Sequence, residues 1–375
     1  MDTMTPRRRM MAALTGAEMP DRLPVTTHHV MQYFLDHSMG GISTPEFFDA
    51  FGLDAYHWIN AYRDTSTYYV DAENHLVSDS WRIERHDLPA EQGPVRCYTI
   101  HTPGGQLTMR LQANPTTEWQ LEHPIKEKRD IELLNYLPAP VCDVQRVNAA
   151  SIGERGMLRG HIPGFDFFGQ PGTWQDAACL VGIERLIYEA HDDPAWVHEL
   201  LAILQRRKLA YIETLPGACY DVLELGGGDA STTVISPRLF RQFVAPYDSL
   251  LVEKAHQAGQ RIVYHTCGGM MPILEDIAAM GVDAMETFTP AAMGGDVDLV
   301  EARRRLGDRV CFIGGFDQFH FFTNCTPQDT RAEVRRCFEA AGKSGRLILS
   351  PSDHFFEADL ACLQAFVDEA HECKY

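Results

Sequence analysis

The sequence lacks any pair of cysteines in the CxxC spacing, although it contains 10 cysteines in 375 residues. Closely spaced cysteine pairs are typical of structural zinc modules and of thiol redox motifs. Scattered cysteines in a chain of this length indicate reduced thiols that mostly fill the core. A disulfide framework is therefore not expected.

Long apolar runs are also missing, and no stretch reaches the length that a membrane-spanning helix needs. The first residues, MDTMTPRRRMMAAL, are basic, but their apolar run is too short for a secretory signal. From these two absences we expect a cytoplasmic protein.

Basic residues are scarce. The chain has 33 Lys and Arg against 52 Asp and Glu, which gives a formal net charge of -19. This balance argues against nucleic acid and against anionic membrane surfaces as partners. It also disfavours a substrate with many carboxylates, unless arginines are concentrated in its pocket.

The glycine-rich GxGxxG fingerprint of dinucleotide-binding sheets does not follow the first predicted strand. Instead, strand–helix units follow one another through the second half of the chain. Their predicted strands lie at 221–227, 261–265, 283–288, 310–317 and 346–352. Such a series predicts a parallel sheet with right-handed crossovers. With earlier strands near Leu23 and Met157, the units fit the length of a (β/α)8 TIM barrel.

The first third of the chain carries two additions to this barrel. Thr5 and Pro6 open a short N-terminal helix as its cap and first residue. Residues 78–112 alternate or are rich in β-formers, with a hairpin turn at 103–105, and predict an antiparallel excursion. We expect one TIM-barrel domain over residues 1–375 that contains this excursion.

The segment 261–271, RIVYHTCGGMM, is the most informative stretch for function. It predicts a buried strand that delivers His265 and Cys267 to its carboxyl end. An imidazole and a thiol two residues apart have a metal-ligand spacing that suits Zn(II). Catalytic zinc usually has a third protein ligand, for which His354, then Glu286, then Asp353 are the candidates. The alternative is a packed histidine beside a core cysteine.

Acidic and imidazole side chains recur where the predicted strands end, which is where a TIM barrel carries its chemistry. His28 and His29 end the first strand and are candidates for the pocket wall. An alternative exists for each acid, because a carboxylate at a strand end also caps helices. The strand-end residues are Glu224, Asp229, His265, Cys267, Glu286, Asp317, Asp353 and His354.

Six segments spread over nearly the whole chain are DRLPV, EHPIKEKRDIELLNYL, ISPRLFRQFVAPY, YHTCGG, GGFDQ and LILSPSDH. Together they resemble the superfamily of uroporphyrinogen decarboxylase and the cobalamin-dependent methyltransferases. In the methyltransferase branch an HxC at the YHTCGG position holds zinc, so the resemblance implies His265 and Cys267 as ligands. The thiol-methylating branch completes the site with a cysteine after the last strand, where this chain reads SPSDH. His354, Asp353 and Glu286 are the possible replacements.

The decarboxylases of this superfamily carry an RQAGR-type arginine motif after the first strand. The corresponding segment here is HHVMQYFLDHS, which has no arginine. A porphyrinogen with its many carboxylates would find little positive charge, so uroporphyrinogen is not the expected substrate.

The combination of ETFTP, GGFDQ and SPSDHFF looks most like the substrate:corrinoid methyltransferases of O-demethylase systems. This resemblance implies methyl transfer from a methoxylated compound, such as an aromatic methyl ether, to the Co(I) of a separate corrinoid (cobalamin) protein. Zinc would stabilise the charge that develops on the leaving oxygen. Glu286 or Asp353 could then protonate that oxygen.

The pocket of such an enzyme should be lined by strand-end residues and by aromatic rings. We predict His28, Glu224, Asp229, Tyr264, Asp317 and Phe165 as substrate-binding residues. Further aromatic side chains could form an apolar wall, although core packing would also account for them. These are Phe167, Phe168, Phe288, Phe316 and Phe355.

Three alternatives remain open. The first is a metal-independent decarboxylase or lyase of the same superfamily, and the second is methyl transfer from methylcobamide to a thiol or folate. The third is a non-catalytic barrel in which the HxC triplet is only packed.

Overall fold

The computed structural model describes residues 2–27, 29–165 and 167–375. Its central feature is a curled sheet of seven parallel strands, in the order β1-β8-β9-β10-β11-β12-β13. The strands of the described residues are β1 (Ala55–Trp58), β2 (Tyr69–Val70), β3 (Leu76–Val77), β4 (Arg82–Leu88), β5 (Val95–Thr102), β6 (Gly105–Ala113), β7 (Glu118–Glu122), β8 (Gly156–His161), β9 (Val222–Gly226), β10 (Ile262–His265), β11 (Ala284–Thr287), β12 (Cys311–Phe316) and β13 (Leu347–Pro351).

Helices surround this sheet, as the alternation of strands and helices predicts for a TIM barrel. The α-helices of the described residues are α1 (Pro6–Thr15), α2 (Gln32–Ser38), α3 (Thr44–Phe51), α4 (Val144–Ala149), α5 (Thr173–Val181), α6 (Ile183–Asp192), α7 (Pro194–Ile212), α8 (Pro237–Leu239), α9 (Ala245–Gln257), α10 (Leu274–Ala279), α11 (Leu299–Leu306), α12 (Gln318–Phe321), α13 (Pro327–Cys337) and α14 (Leu360–Glu372). None of the described helices is long and apolar enough to cross a lipid bilayer.

The segment predicted as the first strand closes the sheet. Thr26 N donates to Leu349 O at 2.9 Å, and Leu349 N donates to Pro24 O at 2.8 Å. On the other side, Asp54 N donates to Val25 O at 2.8 Å, directly before β1. The segment therefore joins the two edge strands, β13 and β1, and supplies the eighth position of the (β/α)8 TIM barrel. The sequence prediction missed β1 itself, which is only four residues long.

The predicted N-terminal helix is present as α1. Thr5 caps it, because Arg8 N donates to Thr5 Oγ1 at 3.3 Å. Gly16 follows with φ of +67°, the left-handed conformation that commonly ends a helix. Helices α5, α6 and α7 follow one another closely and are separated at Gly182 and at Asp193.

The antiparallel excursion is larger than the predicted 78–112. Strands β4 to β7 form one four-stranded sheet that runs to Glu122, and β2 pairs with β3 in a separate small hairpin. The prediction stopped at the end of β6 and missed β7. After β7, the chain forms a 3-10 helix, Lys128–Tyr136.

A buried ion cluster fastens the closing segment to β1. Asp54 accepts hydrogen bonds from Arg9 Nη1 at 2.6 Å, from Arg22 Nη1 at 3.1 Å and from Val25 N at 3.0 Å. The side chains of Arg9, Arg22 and Asp54 are all at most 3% exposed. One carboxylate therefore links α1, the closing segment and β1.

We expect Asp54→Ala to lower the free energy of unfolding by about 3–5 kcal/mol, because two buried guanidinium groups would lose their shared carboxylate. Urea denaturation measures this change. The matched control is Asp87→Ala, which removes a carboxylate that pairs with Arg85 on the surface and is 42% exposed. The control should barely change stability, and an equal loss in both variants would contradict a clamping role for Asp54.

Candidate active site

The carboxyl ends of the barrel strands open onto a cavity of about 1020 Å³. Five of its lining side chains are imidazoles, namely His29, His57, His161, His265 and His354. Carboxylates from Glu118, Glu224 and Asp353 and the thiol of Cys267 also line it. Among the described residues, no lysine or arginine belongs to this lining. An anionic substrate would therefore find no lysine or arginine partner on the described wall.

His265 and Cys267 come together at this cavity. Strand β10 is buried along its whole length and ends at His265, and the Nε2 atom of this residue lies 3.1 Å from Cys267 Sγ. On the opposite side of the ring, Nδ1–H donates to Glu286 Oε1 at 2.9 Å. A histidine that ligates a metal usually donates its other N–H to a carboxylate in this way.

Arg159, on β8, fixes the carboxylate behind His265. Its Nη1 donates to Glu286 Oε2 at 2.8 Å, and its Nη2 contacts both Glu286 and Glu224. The Arg159 side chain is fully buried, and its guanidinium carbon lies 4.1 Å from the centre of the Trp58 ring. This arginine is therefore enclosed by two carboxylates and an aromatic face, beneath the cavity wall.

The charges around His265 decide its protonation. Burial alone would lower the pKa of His265, but Cys267, Glu224 and Glu286 outweigh burial and raise that pKa well above its ordinary value. A raised pKa favours the protonated imidazole, in which Nδ1 faces Glu286 and Nε2 faces Cys267.

The loop after β10 is held by hydrogen bonds to its backbone. Gly268 N donates to Thr289 Oγ1 at 3.2 Å, and Gly269 N donates to Thr233 Oγ1 at 2.7 Å. Asp296 Oδ1 accepts from Met270 N at 2.8 Å. A Cβ atom at residue 269 would lie 2.5 Å from Thr232 Oγ1, so the second glycine is needed for this close approach. These contacts fix where Cys267 stands.

The candidate third ligands differ in how close they lie to His265 and in whether they line the cavity. Within the described residues, Glu224, His265 and Glu286 form a group whose ligand atoms lie within 4.8 Å of each other. Glu286 is fully buried and does not line the cavity. His354 and Asp353 do line the cavity, at its rim, and they are not part of that group. His354 Nδ1 lies 2.9 Å from Asp353 Oδ1. Glu224 is the pocket-lining carboxylate beside His265.

The other predicted substrate-binding residues are dispersed. Asp229 accepts from Gln175 Nε2 at 2.8 Å, outside the cavity lining. Tyr264 points outward and donates to Asp248 Oδ2 at 3.0 Å. Asp317 caps α12 by accepting from His320 N at 3.0 Å, which is the structural alternative for a strand-end carboxylate. His28 lies outside the described residues.

A second cavity, of about 570 Å³, adjoins the first. Phe165, Phe167 and Phe168 line it, together with Tyr62. The aromatic residues predicted to form one wall therefore lie in different parts of the molecule. These three phenylalanines lie beside the site, whereas Phe288 lines a separate cavity among the outer helices, and Phe316 and Phe355 are buried in the core.

Five residues line both cavities and form their boundary, namely Asn60, Glu118, His161, Gly169 and Gln170. Sequence reasoning did not select Arg159, Asn60 or His161. For Arg159 a signal was present, because a lone charge in the apolar stretch MLRG of a buried strand needs a buried partner.

We expect iodoacetamide to label Cys219, Cys267 and Cys325 in native protein from which metal ions have been removed with a chelator, because these thiols are exposed or partly exposed. The other cysteines are buried, and burial raises the pKa of Cys179 to about 12 and that of Cys311 to about 11. Since the thiolate is the reactive form, these residues should react only after unfolding. Peptide mass spectrometry measures the pattern, and rapid native labelling of Cys179 would contradict it.

Comparisons with known proteins agree with this architecture. The family model for uroporphyrinogen decarboxylase (URO-D) matches residues 97–373. The uroporphyrinogen decarboxylase of Aliivibrio salmonicida is 27% identical over 270 residues, which cover 68% of this chain and 71% of that protein. The corresponding protein of Psychromonas ingrahamii is 28% identical over 269 residues, with the same two shares.

Among solved structures, a methyltransferase from Methanosarcina mazei shares the fold, with a TM-score of 0.65 and 16% identity over 98% of this chain and 99% of that one. The matched family model spans β5 to the end of α14, including six of the seven strands of the curled sheet. The chain therefore belongs to the uroporphyrinogen decarboxylase family.

Proposed function

We propose that this protein is a zinc-dependent methyltransferase, which moves a methyl group from a small methoxylated substrate to the Co(I) of a corrinoid protein. An aromatic methyl ether is the substrate class that we favour. The observation that carries the proposal is the convergence of His265 Nε2 and Cys267 Sγ at the wall of the large cavity, with Glu286 behind the imidazole.

The donor set fits zinc. Tetrahedral zinc with ordinary bond lengths needs its nitrogen and sulfur ligands roughly 3.5 Å apart, and Nε2 and Sγ are 3.1 Å apart. A shift of a few tenths of an ångström would let both bind one ion. Glu224 is the third ligand that we favour, because it lines the cavity and has a ligand atom within 4.8 Å of one on His265, in a group that contains Glu286 but not Cys267. His354 is the alternative. Zinc bound there would supply Lewis-acid polarisation of an oxygen atom.

The remaining residues orient and insulate this donor set. Arg159 holds Glu286, which holds Nδ1 of His265, so the ring presents Nε2 to the cavity. Arg159 forms ion pairs with Glu224 and Glu286, so these two carboxylates already compensate its charge in the absence of substrate. Asp353, at the rim beside His354, is the acid that can reach a departing oxygen, whereas Glu286 is buried away from the cavity.

The lining favours a neutral substrate. Burial lowers the pKa of His29, His57 and His161, so these imidazoles are uncharged near neutral pH. Without lysine or arginine among the described lining residues, a polycarboxylate porphyrinogen would be poorly bound. A methoxylated neutral compound has no such requirement.

The methyl acceptor must come from outside the chain. A corrinoid carried by a partner protein supplies the Co(I) nucleophile, so no protein nucleophile is needed. The other partner is the small substrate. With a net charge of -19, we do not propose nucleic acid or a membrane surface as a partner.

The second candidate function is a decarboxylase or lyase of the same family. The curated relatives carry the name uroporphyrinogen decarboxylase, and the methyltransferase likeness has only 16% identity. The Asp353–His354 pair at the rim is a plausible proton-transfer couple for this reaction. Release of carbon dioxide without any cobalamin would favour this candidate over the first.

We expect one zinc ion per chain in protein purified without chelators, with one sulfur neighbour in its zinc K-edge absorption spectrum. Cys267→Ala should lose the metal, because it removes the thiolate ligand. Cys219→Ala is the matched control, since that thiol is exposed and remote from the cavity. A wild-type protein that takes up no zinc on reconstitution would rule out the proposed metal site.

We expect Glu286→Gln to weaken zinc binding by about 10- to 100-fold, because it replaces the charged carboxylate that orients His265. Competition with a chromogenic chelator measures the dissociation constant. Glu301→Gln, which alters a surface partner of Arg304, should leave that constant unchanged.

For the activity, a methyl-transfer assay supplies methoxylated compounds and a Co(I) corrinoid protein and follows the spectrum of the methylated corrinoid. Zinc-loaded wild type should transfer the methyl group and Cys267→Ala should not. Equal rates in both proteins would refute the zinc-dependent mechanism.

A further inference from the structure

The boundary between the two cavities carries hydrogen-bonding groups whose direction can be worked out. His161 ends strand β8, and its Nδ1 lies 2.8 Å from its neighbour's carbonyl oxygen, Ile162 O. A carbonyl only accepts, so Nδ1 carries the hydrogen in this contact. Burial lowers the pKa of His161, so the ring is neutral and Nε2 is left with a lone pair. Among the described residues, Nε2 has no hydrogen-bond donor of its own.

Asn60 stands beside this histidine with the opposite polarity. Its Oδ1 accepts from His161 N at 3.1 Å, which fixes the orientation of the amide. The Nδ2 group therefore faces away from that contact, and within the described part of the chain it makes no other hydrogen bond. Both residues line both cavities. The boundary thus carries one acceptor and one donor without a partner among the described residues, on two side chains that are both partly exposed.

A group that fills both roles must donate one hydrogen bond and accept another. A hydroxyl does so, whereas an ether oxygen only accepts and a carboxylate would meet the lone pair of Nε2. A site built to bind a hydroxyl discriminates against analogues that lack it, because its polar groups are then left unpaired.

We propose that Asn60 and His161 form a hydroxyl-recognition subsite, which selects methoxylated substrates that also carry a free hydroxyl group, such as methoxyphenols. Only the methoxyl part of this substrate class rests on the proposed function. The hydroxyl selection rests on the two boundary side chains. The nearby rings of Phe165 and Tyr62 in the second cavity would pack against the aromatic body of such a substrate.

Equilibrium binding tests this subsite without any methyl transfer. Isothermal titration calorimetry compares the three isomeric methoxyphenols with methoxybenzene on zinc-loaded protein. We expect at least one isomer to bind wild type roughly 3- to 10-fold more tightly than methoxybenzene, as one or two neutral hydrogen bonds would give.

Two variants assign the preference to the pair. His161→Phe keeps a ring but removes the acceptor, and Asn60→Asp keeps Oδ1 but removes the donor. Each should reduce the preference to less than about 2-fold. His161→Gln, whose amide oxygen can replace Nε2, should keep part of it. His123→Phe is the matched control, because His123 Nδ1 also bonds a backbone carbonyl, Cys179 O at 2.9 Å, but its ring lines neither cavity.

Thermal melting establishes that each variant is folded before its binding is interpreted. Equal binding of methoxyphenols and methoxybenzene by wild type would overturn the inference, as would an unchanged preference in both His161→Phe and Asn60→Asp, or no binding of any isomer. These outcomes are separate from the zinc and methyl-transfer measurements. A protein that prefers methoxyphenols yet holds no zinc would retain the subsite and lose the proposed reaction.

Discussion

The site depends on one buried cation. Arg159 is fully enclosed within the barrel, and it is stable there only because Glu224 and Glu286 surround it. The arginine, in turn, compensates the negative charge of those two carboxylates. Glu286 then orients His265, and Glu224 faces the cavity. The orientation of the side chains at the cavity wall therefore depends on Arg159, which does not itself line the cavity.

This arrangement separates two tasks that arginine can perform in this family of folds. An arginine on the cavity wall would bind an anionic substrate directly, but an arginine beneath the wall only organises other side chains. In this chain the described wall carries a His–Cys pair and three imidazoles, His29, His57 and His161, whose pKa is lowered by burial. A wall without lysine or arginine is poorly suited to hold a ligand with several negative charges.

Much of the barrel could be predicted because strands β9 to β13 are short apolar runs that end in polar or glycine residues. Strand β1 escaped prediction, since its four residues show neither an apolar run nor a clear alternation. The sequence of β10 does not show which of its side chains point into the barrel, because all four residues are buried and no polar–apolar alternation marks one face. Hence Tyr264, which points to Asp248 on α9, was grouped with His265, which points to the cavity.

The site was predictable where it is local in sequence and unpredictable where it is not. His265 and Cys267 are two residues apart, and their spacing alone indicates a metal. The sequence left His354, Glu286 and Asp353 as candidates for a third ligand and did not select Glu224 for this role, because the sequence of one chain does not specify how neighbouring strands are staggered. Asn60 and His161 are 101 positions apart and meet only because β1 and β8 are paired.

The inserted sheet has a consequence for how this protein can change. Thr116, Thr117 and Glu118, at the start of β7, reach the cavity from outside the barrel. The barrel carries the donor set, while this turn supplies part of the opposite wall. Substitutions in the turn can alter which compounds fit without disturbing the buried group of Arg159, Glu224 and Glu286. Selectivity can thus diverge between relatives while the chemistry of the barrel is inherited unchanged.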